Sequence, residues 1–322
     1  MPLITTNLEL AILDLQAGKP VAIPTETVYG LAAMIYKSRA IKAVFAMKNR
    51  PLNHPLIVHV AEDWDLNELV EDIPEYAHLL IKKFWPGPLT LVLQAKKDKI
   101  NSLITGGQTT VAIRCPAHPM TQRLLLKLDS PVVAPSANPF GKISPTTAQH
   151  VKQAFSDQEL TILDGGRCRI GIESTIVDAT NHNHYQILRH GLIDEKAIAT
   201  VISTDYSNNE NEIRVPGKLE SHYQPQKKLY YFDQYEVLSR FCQKREGDVY
   251  VIASKQPMTV EDKHFHLLTA NPAQVAFDLY YQLRKADASN AICIAIEMPP
   301  ENSEWQGIRE RILKAGFPYI IK

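Results

Sequence analysis

The chain has 322 residues, is 45% hydrophobic and 22% charged, and balances 35 Lys and Arg against 35 Asp and Glu. That length exceeds one small domain, and the charge balance holds on both sides of residue 200, so a polybasic nucleic-acid-binding body is excluded. Cys115, Cys168, Cys242 and Cys293 lie far apart with no Cys-x-x-Cys pair, which argues against a zinc site or disulfide scaffold and for reduced thiols. Met1–Thr6 carries no basic-then-apolar leader, and no window approaches the ~18 apolar residues of a membrane span. A soluble, cytoplasmic protein is expected.

Leu8, Leu10, Ala11, Ile12 and Leu15 recur with helical spacing before Gly18, and a strand is expected at Pro20–Pro24. The turn-rich segment Thr25–Gly30 leads into apolar Leu31–Ile35. Ile41–Met47 reads as a short helix, Lys48–His54 as a polar loop and Pro55–Val60 as a strand. Ala77–Phe84 reads as a helix that Trp85-Pro86-Gly87-Pro88 must stop, because neither proline can continue it. Leu89–Gln94, Thr110–Arg114, Pro131–Ala134, Leu160–Leu163, Ser174–Asp178 and Tyr185–Leu188 read as strands, and Thr147–Phe155 as a helix. This alternation predicts a mixed α/β sheet.

From Ser203 to Lys228 apolar periodicity disappears, and a polar stretch runs through Asn208, Asn209 and Asn211. We read residues 203–228 as a linker, unusually long for a loop inside one domain. Beyond it, strands at Leu229–Phe232, Val249–Ala253 and Ala291–Ile296 and helices at Ala273–Arg284 and Ile308–Ala315 predict a small β/α domain over 229–322. It has no glycine-rich phosphate loop and is assigned no chemistry.

Chemistry concentrates in the loops of the first part. Lys48 and Arg50 are two cations in a proline-stiffened loop with His54, suited to phosphate oxygens. Ala134-Pro135-Ser136-Ala137-Asn138, running on to Gly141 and Ser144, offers hydroxyl, amide and backbone N–H groups after a strand, without being a Walker A loop. Glu173, Ser174 and Thr175 precede another strand, and Arg114 and Arg189 end two more. Each feature alone is equally a capped turn, a solvated loop or a surface arginine, and His59 alone reads as a packing residue. No His-Glu-x-x-His and no Gly-x-Ser-x-Gly occurs, which disfavours a catalytic zinc and a serine hydrolase.

In one order stand Pro24-Thr25-Glu26-Thr27-Val28-Tyr29-Gly30-Leu31, Lys48-x-Arg50, Trp85-Pro86-Gly87-Pro88-Leu89-Thr90, Ala134–Asn138 and Glu173-Ser174-Thr175-Ile176-Val177-Asp178. Together they resemble the YrdC/Sua5 family, the threonylcarbamoyl-AMP synthases, over nearly all of residues 5–200. Pro216-Gly217 and His222-Tyr223-Gln224-Pro225 resemble the linker of its longer, two-domain form. Val215, Lys218 and Ser221 depart from that linker pattern, where the family usually has serine, methionine and a basic residue.

The resemblance implies a YrdC-like twisted mixed sheet with helices over 1–202, a linker or lid over 203–228, and a smaller Rossmann-like α/β domain over 229–322. It implies the conversion of L-threonine, bicarbonate and ATP, with Mg2+ on the phosphates, to L-threonylcarbamoyl-adenylate and pyrophosphate. A downstream transferase complex would then modify adenosine 37 of tRNAs reading ANN codons. Carried over by position, L-threonine would meet Thr27, His59, Arg114, Ala134 and Ser174. ATP would meet Arg50, His54, Thr110, Ser136, Asn138, Ser144, Arg189 and Tyr223, with Lys48 and Arg50 neutralising charge. No protein side chain is expected to ligate a metal. A weak tRNA or double-stranded RNA contact is a further partner the resemblance allows. The alternatives are a non-catalytic binder of structured RNA, using the concave basic groove of the fold, and a related carbamoyl-adenylate-forming enzyme. The latter's relatives carry acylphosphatase and zinc-finger-like segments that this chain lacks.

Overall fold

Short apolar runs broken by proline and glycine build two sheets in the computed structural model, which describes residues 1–207, 213–217 and 223–319. The first sheet takes β1 Leu3–Thr5, β2 Val21–Ile23, β3 Gly30–Met34, β4 Ile57–His59, β5 Leu89–Gln94 and β6 Thr110–Arg114. It continues with β7 Val132–Val133, β8 Thr161–Leu163, β9 Thr175–Asp178, β10 His184–Arg189 and β11 Asp205–Tyr206. Their spatial order is β1-β8-β2-β3-β7-β4-β6-β5-β9-β10-β11, with parallel and antiparallel neighbours mixed.

The second sheet holds β12 Leu229–Phe232, β13 Val249–Ala253, β14 Phe265–Leu267, β15 Cys293–Glu297 and β16 Phe317–Pro318. Its order is β14-β13-β15-β12-β16 and every pair is parallel. A parallel sheet needs cover on both faces, and alternation along the strands supplies it. Val249, Val251 and Ala253 pack with Leu238, Phe241 and Cys242 of the helix Tyr235–Lys244. Tyr250 and Ile252 point the other way, onto Leu279, Leu283, Ile308 and Ile312 of the helices Pro272–Ala288 and Gln306–Ala315.

The same cluster takes in Val28, Ile143 and Ile172 from the first part of the chain, so apolar contact runs unbroken between the two sheets' layers. Polar contacts reinforce it. Arg167 donates to the Phe277 carbonyl at 2.9 Å and to Asp278 at 2.8 Å, and its guanidinium lies 3.6 Å from the Phe277 ring centroid. Gly171, at φ +91°, lies against the backbone of Ala276 and Phe277, where a side chain would collide.

Several elements depart from the sequence reading. The helices Pro119–Leu128 and Tyr235–Lys244 are absent from the sequence reading: the first opens on Pro119 behind a His118 cap, and the second has no side-chain cap at all. Strand β11 falls inside the segment read as structureless and pairs with β10 through two residues. Lys218, Ser221 and His222 lie outside the described residues.

Candidate active site

Strand register sets the first wall. His59 pairs with Arg114 across β4 and β6, Arg114 with Thr90 across β6 and β5, and Thr90 with Ile176 across β5 and β9. One row of the sheet therefore presents a histidine, an arginine and a threonine side by side. Above it sits the turn Thr25–Val28, closed by its own hydroxyl: Thr25 Oγ1 donates to the Val28 carbonyl at 2.6 Å and accepts from the Thr27 and Val28 amides.

Arg114 is held on three sides. Its Nε donates to the Gly87 carbonyl at 3.2 Å, Nη1 to Thr27 Oγ1 at 2.8 Å and Nη2 to Glu26 Oε1 at 2.5 Å. A guanidinium has five N–H donors, so one on each Nη remains for a ligand, the spacing a carboxylate accepts. Beside it, burial and the Arg114 charge hold the His59 imidazole down at about 3, so the ring is neutral. Its Nδ1 donates to the Ile57 carbonyl at 3.2 Å, which leaves Nε2 as an acceptor.

The opposite wall is cationic. Lys48, the last residue of the helix Ser38–Lys48, is fully buried, and its ammonium donates to the Ser136 and Asn138 carbonyls. Burial, then the neighbouring Arg50, pushes its pKa well below the usual lysine value. That clamp bends Ala134–Asn138 over β3, where Gly30 leaves room for Ala134. Arg50 Nη2 donates to the Pro55 carbonyl at 2.8 Å, while its Nε is buried without a partner. Asn138 donates to the Pro139 and Lys142 carbonyls at 2.8 Å each, and its Oδ1 is likewise buried and unpartnered.

Arg189 closes the third side. Its Nε and Nη2 donate to the Ser174 carbonyl at 3.1 and 2.9 Å, Nη2 also to Ser174 Oγ, and Nη1 to the Pro216 carbonyl. Ser174 Oγ lies 2.7 Å from Thr90 Oγ1. Glu173 accepts from Ser144 Oγ at 2.5 Å on one oxygen, and from Tyr280 Oη at 2.9 Å and Arg311 Nε at 3.1 Å on the other.

One cavity joins these walls. Thr27, Lys48, Arg50, His59, Arg114, Ala134, Ser136, Asn138, Ser174, Arg189 and Tyr223 all line it. Three residues carried over with them do not. Ser144 lies behind Glu173, and Thr110 starts β6 on the same strand face as Arg114 but further from the cavity. His54 packs edge-on to Phe140, itself a lining residue, with ring centroids 5.2 Å apart.

A family model described as telomere recombination, Sua5_yciO_yrdC, matches residues 14–191, and one described as the threonylcarbamoyl-AMP synthase C-terminal domain matches 193–316. Relatives named threonylcarbamoyl-AMP synthase from Pyrococcus abyssi and Bacillus subtilis are each 35% identical over 96% of this chain, covering 93% and 92% of their own lengths. The chain belongs to the threonylcarbamoyl-AMP synthase family. The crystal structure of P. abyssi Sua5 complexed with L-threonine superposes with a TM-score of 0.86 at 33% identity, covering 98% of this chain and 97% of that one. The fold expected from the sequence is the fold of this family.

Within that family's motifs, the sequence reading gives Glu26 no role and Glu173 only a place on the rim of a polar site, and it names neither Tyr280 nor Arg311 beyond the linker. Both carboxylates are more than nine-tenths buried, one bonded to Arg114 and the other to Arg311. The signal for Arg311 was available: it shares a helix face with Ile308, Ile312 and Ala315, so a cation stands on an apolar stripe. Assigning the second domain no chemistry left that arginine without a partner in the sequence reading.

Proposed function

We propose that this cavity joins L-threonine, bicarbonate and ATP into L-threonylcarbamoyl-adenylate, the product that the family's name describes. One observation carries the assignment of the cavity. Arg50 and Asn138, each with a buried polar atom that has no partner, line it together with Arg114, which keeps two uncommitted N–H groups. Buried polar atoms without partners are costly, so a ligand with anionic and hydroxyl or amino groups is the natural occupant.

In this reading the threonine carboxylate sits on Arg114. Its other polar groups face Thr27, Ser174, the Ala134 backbone and the acceptor Nε2 of His59. The triphosphate lies along Lys48, Arg50 and Arg189. The nucleoside meets Ser136 and Asn138, with His54, Thr110, Ser144 and Tyr223 around it. Mg2+ enters as part of the substrate, on the ATP phosphates.

Chemistry then follows from position. The neutral threonine amine attacks CO2, giving up its proton to solvent, or attacks bicarbonate with loss of water, to form a carbamate; a carbamate oxygen then attacks the α-phosphorus as the bond to the β-phosphate oxygen breaks and pyrophosphate leaves. The chain supplies alignment and positive charge where negative charge develops. His59, with a conjugate acid near 3, is too weak a base to take the amine proton near neutral pH.

We place the enzyme in the cytoplasm, upstream of a transferase that moves the threonylcarbamoyl group to tRNA. No helix among the described residues is long and apolar enough to cross a membrane. We further assign residues 1–202 to catalysis, 203–228 to the linker and 229–322 to the second domain. Mass spectrometry of the product from ATP, bicarbonate and threonine tests the reaction. An adenylate containing threonine and one added carboxyl carbon is expected, and unchanged ATP under these conditions overturns it.

A further inference from the structure

The second domain reaches the cavity through Glu173. This carboxylate lines the cavity and is the residue before Ser174, whose carbonyl and hydroxyl are fixed by Arg189. Both of its oxygens are bound, and two of the three partners come from beyond residue 229: Tyr280 on the helix Pro272–Ala288 and Arg311 on the helix Gln306–Ala315. Arg311 is 1% exposed and Tyr280 is fully buried, so neither serves a surface role. Arg311 is itself braced, donating through Nη1 to the His190 carbonyl at 2.5 Å and to Glu310 at 3.3 Å. Tyr223, which also lines the cavity, is stacked on Tyr280 at 5.7 Å between ring centroids, and Arg311 lies 5.4 Å from its ring.

We propose that the second domain is a working part of the active site, with Arg311 and Tyr280 as positioning residues that hold Glu173, and through it Ser144 and the Ser174–Arg189 wall, in the geometry adenylate formation needs. The proposal rests on the reading of the cavity given above.

An isolated carboxylate this deeply buried would take up a proton and turn away from its partners. The charged and titratable groups facing Glu173 are Arg311, with Glu310 and Lys314 further along the same helix, Arg189 from β10, and the hydroxyl groups of Tyr280, Tyr223 and Ser144. Burial alone would raise its pKa; Arg311, then Arg189 and the Ser144 hydroxyl outweigh burial and hold it at about 2. An ionised Glu173 accepts the hydrogen bonds of Ser144, Tyr280 and Arg311 together. A protonated one would itself become a donor and let go of Arg311.

The test is threonine-dependent pyrophosphate release by the full chain and its Arg311→Met and Tyr280→Phe variants from pH 5.5 to 8.5, each rate divided by the wild-type rate at the same pH. That ratio cancels the titration of the threonine amine. With Arg311 gone, the relative rate should fall at least tenfold between pH 8 and pH 6, because Glu173 then protonates in that range. Tyr280→Phe, which loses one hydroxyl, should show the same limb less steeply, and it keeps the test alive if Arg311→Met does not fold. A relative rate that is flat with pH in folded Arg311→Met and in Tyr280→Phe, whether reduced or not, overturns the proposal while leaving the reaction intact. Absence of pyrophosphate release by the wild type would instead overturn the reading of the cavity.

Discussion

Glu26 Oε1 stands 2.5 Å from Arg114 Nη2, with both side chains more than nine-tenths buried, and Glu26 Oε2 accepts the Ala117 amide at 2.9 Å. The carboxylate thus fixes the arginine and ties the end of β6 to the turn after β2. It also leaves one N–H on each Nη of Arg114, a residue that lines the cavity, without a partner in the hydrogen bonds just described. Glu26→Gln keeps the shape and removes the charge. A hydrogen bond to a charged group contributes about 1.5–3 kcal/mol. The KM for threonine should therefore rise by about tenfold or more, with the KM for ATP nearly unchanged. Steady-state kinetics with each substrate varied in turn decides it, and an unaltered threonine KM would sink the role given to Glu26.

Lys48 and Arg50 are separable. The Lys48 ammonium is spent largely on the Ser136 and Asn138 carbonyls, whereas Arg50 has a buried donor with nothing to bond. Replacing either by alanine should lower adenylate formation on the order of 10²-fold, as expected when a charge-stabilising group is lost. Lys48→Ala should also lower the melting temperature, because two buried carbonyls lose their donor. Arg50→Ala should lower it less, because one buried carbonyl, that of Pro55, loses its donor instead of two. Normal turnover in both variants would remove the loop from the mechanism.

Much of this was legible because strands and their turns are local. The strands Leu89–Gln94, Thr110–Arg114, Leu229–Phe232 and Val249–Ala253 are bounded where apolar runs meet polar or turn residues, and the structure keeps those bounds. Which arginines share a cavity was not legible from periodicity. Arg114 and Arg189 meet only because β6, β5, β9 and β10 lie side by side in that order, a pairing that ordered motifs hint at and spacing does not. The chemistry of the second domain was hidden for a related reason. Arg311 gains its meaning from Glu173, 138 residues earlier, and nothing local announces a contact at that range.

Gly217 offers a test of the linker. Its φ is +85°, and an added Cβ would stand 2.5 Å from Tyr223 Oη and 3.2 Å from Arg189 Cδ. Its carbonyl accepts from Lys314 at 2.6 Å, so the backbone cannot shift freely. Gly217→Ala should therefore displace Tyr223 or Arg189 in addition to the roughly 1 kcal/mol cost of left-handed backbone in a non-glycine residue. The KM for ATP should rise several-fold while that for threonine changes less. Equal effects on both substrates would show that the linker does not favour the nucleotide side.

His150 makes stability depend on pH. Its ring lies between the helix Ala148–Ala154 and Tyr281 of the second domain, and Nδ1 accepts the Thr146 amide at 3.3 Å, which requires a lone pair there. Burial, then Arg284 and Arg167, lowers its pKa to about 3. His59 is held at a similar value by its own burial and by Arg114. A group whose folded pKa lies below its unfolded value binds its proton more readily when unfolded, so acid favours the unfolded chain. For each histidine the loss begins near pH 6.5 and continues to about 3, at about 1.4 kcal/mol per pH unit. Two such groups should cost about 3 kcal/mol per unit through this window. Urea unfolding at pH 7.0 and 5.5 should show the decline, and His150→Gln, whose amide oxygen can still accept from Thr146, should flatten it measurably. An identical pH dependence in the variant would mean that His150 protonates in the folded protein without resistance, contrary to its buried, hydrogen-bonded setting.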